Sequence, residues 1–388
     1  MSFLCIPALI RGRHVLDKTM FPADEFDARL QVLKTLMKEN GINGLILYSD
    51  SLCNGYVSWL TFYNNIITWS NAVLIVKDDA PIHLIASIPQ RDEKRVKNFV
   101  IPNLDVEYAG LSLVANDGIG AYVASYIKEK GWESGKWWGV NLREMPHMAY
   151  GSISDILGEV GDFTKEYDLL RSKKTHAEME AISKAASIAR EMATEFIEEY
   201  KRGTTQKEIS AYIDKKARYA DAEDIRIFIG EDEGKGILHL PDESEFMENQ
   251  LVRLFIQVQY MRYIAVHGIT FFTGGEVDKL KQDSALLEKI DTIITELNNT
   301  RVLPKDYKEH FGFEPDSFSS IQGIGMDASE MPNEQSCGWQ LEGGNVIHIT
   351  VDEKNEKGKR ILVSETFYCS QTGLVPASSY FYAGDSPL

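Results

Sequence analysis

Between Ile229 and Gly275 the chain reads IGEDEGKGILHLPDESEFMENQLVRLFIQVQYMRYIAVHGITFFTGG. Two apolar runs, Leu251 to Gln259 and Tyr263 to Phe272, are rich in Val, Ile, Phe and Tyr and are each of strand length. Tyr260 to Arg262 is left as the reversal. This pair is the strongest constraint on the fold, because it commits the centre of the chain to a hairpin inside a sheet. His239, just ahead of Pro241, and the two glutamines Gln257 and Gln259 would then stand near one packed sheet face, the makings of a site wall.

The stretch before this hairpin alternates between helix and strand patterns. Pro22 to Asn40 carries Phe26, Leu30, Leu33 and Met37 at helical spacing, and Gly41 follows as a stop. Gly44 to Ser49, Ala72 to Val76 and Ile82 to Ala86 read as strands, the last two joined by the turn Asp78-Asp79-Ala80-Pro81. Gly118 to Lys130 reads as helix, Trp137 to Leu142 as strand and His147 to Leu157 as helix. An α/β (α+β) architecture is expected, with a first domain over 1–160 and a second over 161–388. Asp162 to Ser172 is expected as an extended linker. Thr175 with Glu178 and Thr205 with Glu208 each form a capping box that starts a helix. Val277 to Asn298 predicts a long amphipathic helix and Pro304 to Phe311 a short one.

A chain of 388 residues suits two domains, and a net charge of −17 argues against nucleic acid and anionic membrane as partners. Cys5, Cys53, Cys337 and Cys369 lack C-x-x-C spacing, so no zinc knuckle or disulfide framework is expected. The N-terminal MSFLCIPALIRGRH has too short an apolar run for a signal peptide, and no stretch reaches membrane-spanning length. A cytoplasmic protein is expected.

Several segments share the frame of known motifs. His239-Leu240-Pro241 precedes Ile256-Gln257-Val258-Gln259, and eleven residues beyond Gln257 stands Gly268, followed by Ile269-Thr270. Leu170 to Glu178 fits L-R-x-x-K-x-x-x-E, and Ser58-Trp59-Leu60-Thr61-Phe62 fits Y-L-T-G-F. Gln322-Gly323-Ile324-Gly325 through Ser329-Glu330 to Pro332 fits the loop G-H-G-I-G-L-x-x-H-E-x-P. Leu341 to Thr350 fits L-E-P-G-M-V-F-T-I-E, and Leu362-Val363-Ser364-Glu365-Thr366 to Gly373 fits R-I-E-D-T…D-G. Over nearly the whole chain the sequence resembles the creatinase/prolidase/methionine aminopeptidase superfamily. The resemblance implies a creatinase-type N-terminal domain followed by a pita-bread C-terminal domain. It also implies a homodimer, with Trp59, Phe62, Tyr63 and Trp69 either lining a pocket or serving as core or dimer-interface aromatics.

The family's metal ligands do not carry over. Gln257, Gly268, Gln322, Thr350 and Ser364 stand where the resemblance places three kinds of ligand, Asp, His and Glu. Neutral amides and hydroxyls do not offset the charge of two divalent cations, so no metal and no other cofactor is expected. A different metal on His239, His267 and His348 lacks any H-x-x-H spacing. Creatinase works on this fold without metal, through a histidine ahead of the first site strand, and His239 sits at that position. Imidazole titrates near neutral pH, which suits proton transfer. Creatinase grips its guanidino group with glutamates, where Thr270 and Thr350 stand here, so creatine is not the expected substrate. His348 shares a strand face with Thr350 by alternation. Glu330 and Glu365 are the acidic candidates, and Gln257, Thr270, Gln322, Thr350, Ser364, His267, Trp59, Phe62 and Tyr63 the candidate substrate contacts.

The expectation is a metal-independent, creatinase-like enzyme acting on a small, mostly neutral organic molecule, with C–N bond hydrolysis by general acid–base catalysis placed first. A non-hydrolytic lyase or ring-opening reaction, a catalytically inactive pita-bread binding module, and lastly a metallopeptidase are the alternatives.

Overall fold

The computed structural model describes residues 15–65, 70–110, 118–200, 203–231, 237–273, 284–315, 317–333, 338–355 and 358–382. The chain forms two compact units, Met1–Arg171 and Ser172–Leu388.

The first unit holds strands β1 (Gly44–Asp50), β2 (Asn71–Lys77), β3 (His83–Ala86), β4 (Asp105–Tyr108), β5 (Trp137–Val140) and β6 (Gly161–Asp162). They form one mixed sheet in the order β4-β3-β2-β1-β5-β6. Its helices are α1 (Ala23–Glu39), α2 (Gly55–Thr61), α3 (Glu93–Val96), α4 (Gly118–Glu129), α5 (His147–Leu157) and α6 (Thr164–Ser172). Alternation puts Ile46, Tyr48, Val73, Ile75 and Ile85 on one face, where Ile119, Val123 and Ile127 of α4 and Ala149 and Ile153 of α5 bury them.

The structure departs from two local expectations. The strand read to Leu142 stops at Val140, because Asn141 turns left-handed (φ 60°) and donates its side-chain amide to the Tyr48 carbonyl at 3.2 Å. The stretch 162–172 is not an extended linker. Asp162 accepts from the Thr164 backbone N–H at 2.9 Å and hydroxyl at 2.6 Å, an Asx turn that leads directly into α6.

The second unit opens with α7 (His176–Glu199) and α8 (Gln206–Tyr219), and both capping boxes form as expected. Its strands are β7 (Asp224–Glu231), β8 (Leu251–Tyr260), β9 (Tyr263–Phe272), β10 (Val302–Leu303), β11 (Ser320–Gly323), β12 (Trp339–Gln340), β13 (Val346–Lys354), β14 (Arg360–Cys369) and β15 (Leu374–Pro376). The main sheet runs β11-β13-β14-β9-β8-β7, with β15 on β14. Helices α9 (Ser284–Thr300) and α10 (Tyr307–His310) match the two expected helices, save that 277–283 lie outside the described residues.

The reversal of the central hairpin narrows to Met261 and Arg262, with φ 46° and 72°. A two-residue hairpin turn with two positive φ values favours Asn and Gly, which are absent here. Glu223 holds the turn instead, accepting from the Arg262 backbone N–H at 2.8 Å and from its guanidinium at 2.6 Å.

One face of the main sheet carries the helices. Tyr263 donates its hydroxyl to Glu178 of α7 at 2.9 Å, and Phe271 packs on Phe196 of the same helix. Ile293 and Leu297 of α9 bury Ile321, Ile347, Ile349 and Val351. The opposite face carries Gln257, Gly268, Gln322, Thr350 and Ser364.

Candidate functional site

Direct cross-strand partners project from the same face of a sheet, so the register defines the site row by row. One row crosses all six strands: Phe228, Phe255, Gly268, Ser364, Thr350 and Ser320. The next contains Arg226, Gln257 and Val266, continued across β14, β13 and β11 by Thr366, His348 and Gln322. Gln257, Gly268, Gln322, Thr350 and Ser364 therefore share the face away from the helices.

Two of them bond to each other. Thr350 Oγ1 and Ser364 Oγ share a hydrogen bond of 2.7 Å, and His348 Nδ1 lies 3.2 Å from Thr350 Oγ1. Ser329 donates to Gln322 Oε1 at 3.4 Å, so the two positions where the resembled loop has histidines meet. An alanine at 268 would put its Cβ 2.8 Å from Ser364 Cβ, which is why a glycine fits that place.

Burial pushes the His348 imidazole down to about 4, so the ring is neutral at neutral pH. Among the described residues its Nε2 has no hydrogen-bond partner. If Nδ1 carries the proton and donates it to Thr350, Nε2 presents a lone pair. In the other tautomer Nε2–H is a donor.

The pairing of β9 with β14 spans only Gly268–Ser364 and His267–Glu365. On either side a threonine hydroxyl replaces the missing backbone bonds. Thr270 donates to the Leu362 carbonyl at 3.0 Å and accepts from its N–H at 2.8 Å. Thr366 does the same to Val266, at 3.1 and 2.9 Å. Thr270, a candidate substrate contact, is thus bound to the sheet itself.

Other candidates lie elsewhere. His267 and Glu365 are register partners, 3.1 Å apart, on the helix-bearing face rather than beside Thr350. Glu330 is buried against Lys174 at 2.6 Å and accepts from the Asp327 N–H at 3.1 Å, tying the Gly-Ile-Gly loop to the segment before α7. A side chain at Gly325 would run into that carboxylate at 2.5 Å. His239 bridges Ile229, whose partner Leu254 belongs to the helix-side rows, and its Nδ1 contacts the Leu240 carbonyl at 2.9 Å. In the first unit Trp59, Phe62 and Tyr63 are buried; Trp59 packs edge-on against Tyr167, and Phe62 against Phe21 and Phe26. Trp69 lies outside the described residues.

Two features of the site face escape sequence reading. Arg253, two positions before Phe255, donates to Asp352 at 2.7 Å in full burial, with Arg360 3.6 Å from the other carboxylate oxygen. Desolvation raises the Asp352 carboxyl against the pull of these guanidiniums. An arginine inside an apolar strand was the available signal. The second is Phe318, whose ring stands edge-on to Phe255 at 5.4 Å, a contact between segments far apart in sequence.

The donor set does not fit a dinuclear metal centre. The family positions offer two amides, two hydroxyls and a glycine, and the hydroxyls are already bonded to each other. Hard divalent pairs require bridging carboxylates. Among the described residues no cluster of three or more His, Cys, Asp or Glu side chains is placed to hold a metal ion.

Residues 180–370 match the profile of Metallopeptidase family M24. The fold is similar to that of a prolidase from Thermococcus sibiricus, with a TM-score of 0.71, 18% identity, and 91% of this chain and 96% of that one covered. A prolidase from Pyrococcus horikoshii OT3 gives a TM-score of 0.68 and 15% identity over 90% of this chain and 98% of that one. An X-Pro aminopeptidase from Thermotoga maritima MSB8 gives 0.69 and 14%, over 90% and 97%. No curated protein matches the chain at a significant level. No helix among the described residues is long and apolar enough to cross a membrane.

Proposed function

For a chain with the pita-bread fold of the creatinase/prolidase/methionine aminopeptidase superfamily, we propose a metal-independent enzyme that hydrolyses a C–N bond in a small, mostly neutral organic molecule. The observation that carries this reading is the hydrogen-bonded series His348–Thr350–Ser364, whose two hydroxyls stand at ligand positions of the resembled family and whose imidazole has Gln322 as its register neighbour. Neutral donors and acceptors on one sheet face suit a neutral polar group.

His348 takes the proton-transfer role in this proposal, in preference to His239, Glu330 and Glu365, because it alone of the four contacts that series. With Nδ1–H donating to Thr350, Nε2 accepts a proton from the attacking water and returns it to the leaving nitrogen. The burial that keeps the ring neutral also makes it a weak base at rest. Negative charge developing on the substrate carbonyl oxygen would raise its proton affinity as the reaction proceeds. Gln322, the register neighbour of His348, would donate to that oxygen. The homodimer implied by the resemblance and the cytoplasmic location expected from the sequence belong to the same proposal, and light scattering showing only monomer would remove the dimer.

A second reading, a catalytically inactive binding module, is favoured by one fact: Thr350 and Ser364 are both fully buried and satisfy each other. The metallopeptidase reading, the most direct from the names of the structural neighbours, is opposed by the donor set. One experiment separates the three. Protein treated with chelator is incubated with small primary amides, ureas and lactams while released ammonia or amine is followed. Turnover that survives chelation and falls about a hundredfold or more in His348→Gln supports the proposal. Binding without turnover supports the module. Turnover lost on chelation and restored by Mn²⁺ supports the peptidase.

A further inference from the structure

In the first unit a buried imidazole has both of its ring nitrogens engaged. His83, the first residue of β3, places Nδ1 2.8 Å from Asp105 Oδ2 and Nε2 3.3 Å from Glu107 Oε2. Asp105 is its register partner on β4, and Glu107, two residues on, projects from the same face. Tyr126 of α4 stacks on the imidazole, with ring centroids 4.0 Å apart and planes 7° from parallel. Tyr122, one turn earlier, donates its hydroxyl to the other oxygen of Glu107 at 2.6 Å. One ring thus ties β3, β4 and α4 together.

These contacts call for the cation. An ionised carboxylate only accepts, so each ring nitrogen must donate, and imidazole carries two N–H groups only when protonated. A neutral ring keeps one bond and turns the lone pair of its other nitrogen on a carboxylate oxygen. The remaining groups around the ring leave that balance to His83. Tyr122 is pushed up to about 12 by its bond to Glu107, and burial raises Tyr126, so neither hydroxyl ionises near neutral pH. On α4, Glu129 acts on both tyrosines, and Lys130 Nζ lies 5.1 Å from the Tyr126 ring centroid. On β2 the register partner of His83 is Ile75, and Lys77 beyond it is held by Asp78 and Asp79.

We propose that His83 is a proton-operated latch on the edge of the first sheet. As the imidazolium it holds β4 to β3 and to α4 through Asp105 and Glu107, and on losing its proton it lets β4 open. β4 ends its sheet and, among the described residues, pairs with β3 alone. Opening therefore bares the backbone N–H and C=O groups along β3, an edge on which another strand can pair. The latch is closed on the acid side and loosens as pH rises.

Backbone hydrogen exchange of the full chain, followed from about pH 5.5 to 8.5 and corrected for the intrinsic base-catalysed rate, tests this. Protection of peptides covering 105–110 is expected to fall about tenfold across that range, the weight of one charged hydrogen bond. Protection of β1, inside the sheet, is expected to stay level. His83→Gln is expected to abolish the step and to sit near the native protein's alkaline level throughout. Glu107→Gln is expected to lose most of the step. Native protection of 105–110 that stays level within about twofold overturns the latch. So does a step that persists undiminished in His83→Gln, or, should that variant not fold, in Glu107→Gln.

Discussion

Thr350 and Ser364 face each other in register across β13 and β14, and their hydroxyl oxygens are 2.7 Å apart. Thr350 also meets His348 at 3.2 Å, so one hydroxyl serves two buried partners. Thr350→Val should therefore cost about 1–3 kcal/mol, because both partners lose their bond without access to water. Ser364→Ala should cost less, about 1 kcal/mol, since Thr350 keeps the imidazole. The double variant should lose less than the sum, by about 0.5 kcal/mol or more. Urea unfolding of the four proteins measures this, and strict additivity would show that the pair is not energetically coupled.

The same donor set predicts that the protein holds no stoichiometric divalent metal. Elemental analysis after dialysis against Mn²⁺ or Co²⁺ should find well below one ion per chain. Neither ion nor chelator should move the melting temperature, whereas an ion at a hundred times its dissociation constant would add about 2.7 kcal/mol. About two metals per chain would restore the peptidase reading.

Glu330 serves a different end. Its partner Lys174 is 156 residues away in sequence and 2.6 Å away in space, with both side chains buried. Glu330→Gln removes that charge partner and should destabilise the second unit by about 3–5 kcal/mol. Replacing both residues with apolar ones, Lys174→Met with Glu330→Leu, should recover much of the loss. An unchanged unfolding midpoint in Glu330→Gln together with lost turnover would return Glu330 to a chemical role.

What was legible in the sequence is what local chemistry decides. The capping boxes at Thr175 and Thr205, the stop at Gly41 and the two strands of the hairpin follow from patterns a few residues long. The loop frame around Gln322 and the alternation placing His348 beside Thr350 were equally readable. The helix at 164–172 was missed because a single side chain, Asp162, replaces the box that marks the other starts. Partners set by tertiary packing left no local trace. Nothing near Glu330 points to Lys174, nothing near Phe318 points to Phe255, and the side taken by His239 depends on a single bridge to Ile229. Thr270 reads as a pocket residue until β9 and β14 are seen to pair at only two positions, which leaves its hydroxyl to complete the sheet.

The buried imidazole gives the last prediction, in stability against pH. His348 titrates near 6.5 when unfolded and near 4 when folded, because burial penalises its charged form. Between those values the unfolded chain binds the extra proton, so stability rises with pH across that window. The native state carries no penalty from this residue above about pH 6.5 and loses stability as pH falls toward 4, by at most on the order of 3 kcal/mol. Carboxylates titrate at the lower end of the same window, so the measurement is a difference. Urea unfolding of the native protein and of His348→Gln should converge in slope above pH 7, and the native protein should lose more between pH 6.5 and 4. Parallel curves throughout would mean that His348 takes up its proton while folded. The ring would then be reachable by water and a stronger resting base than its burial implies, and the site more open than the closed Thr350–Ser364 pair suggests.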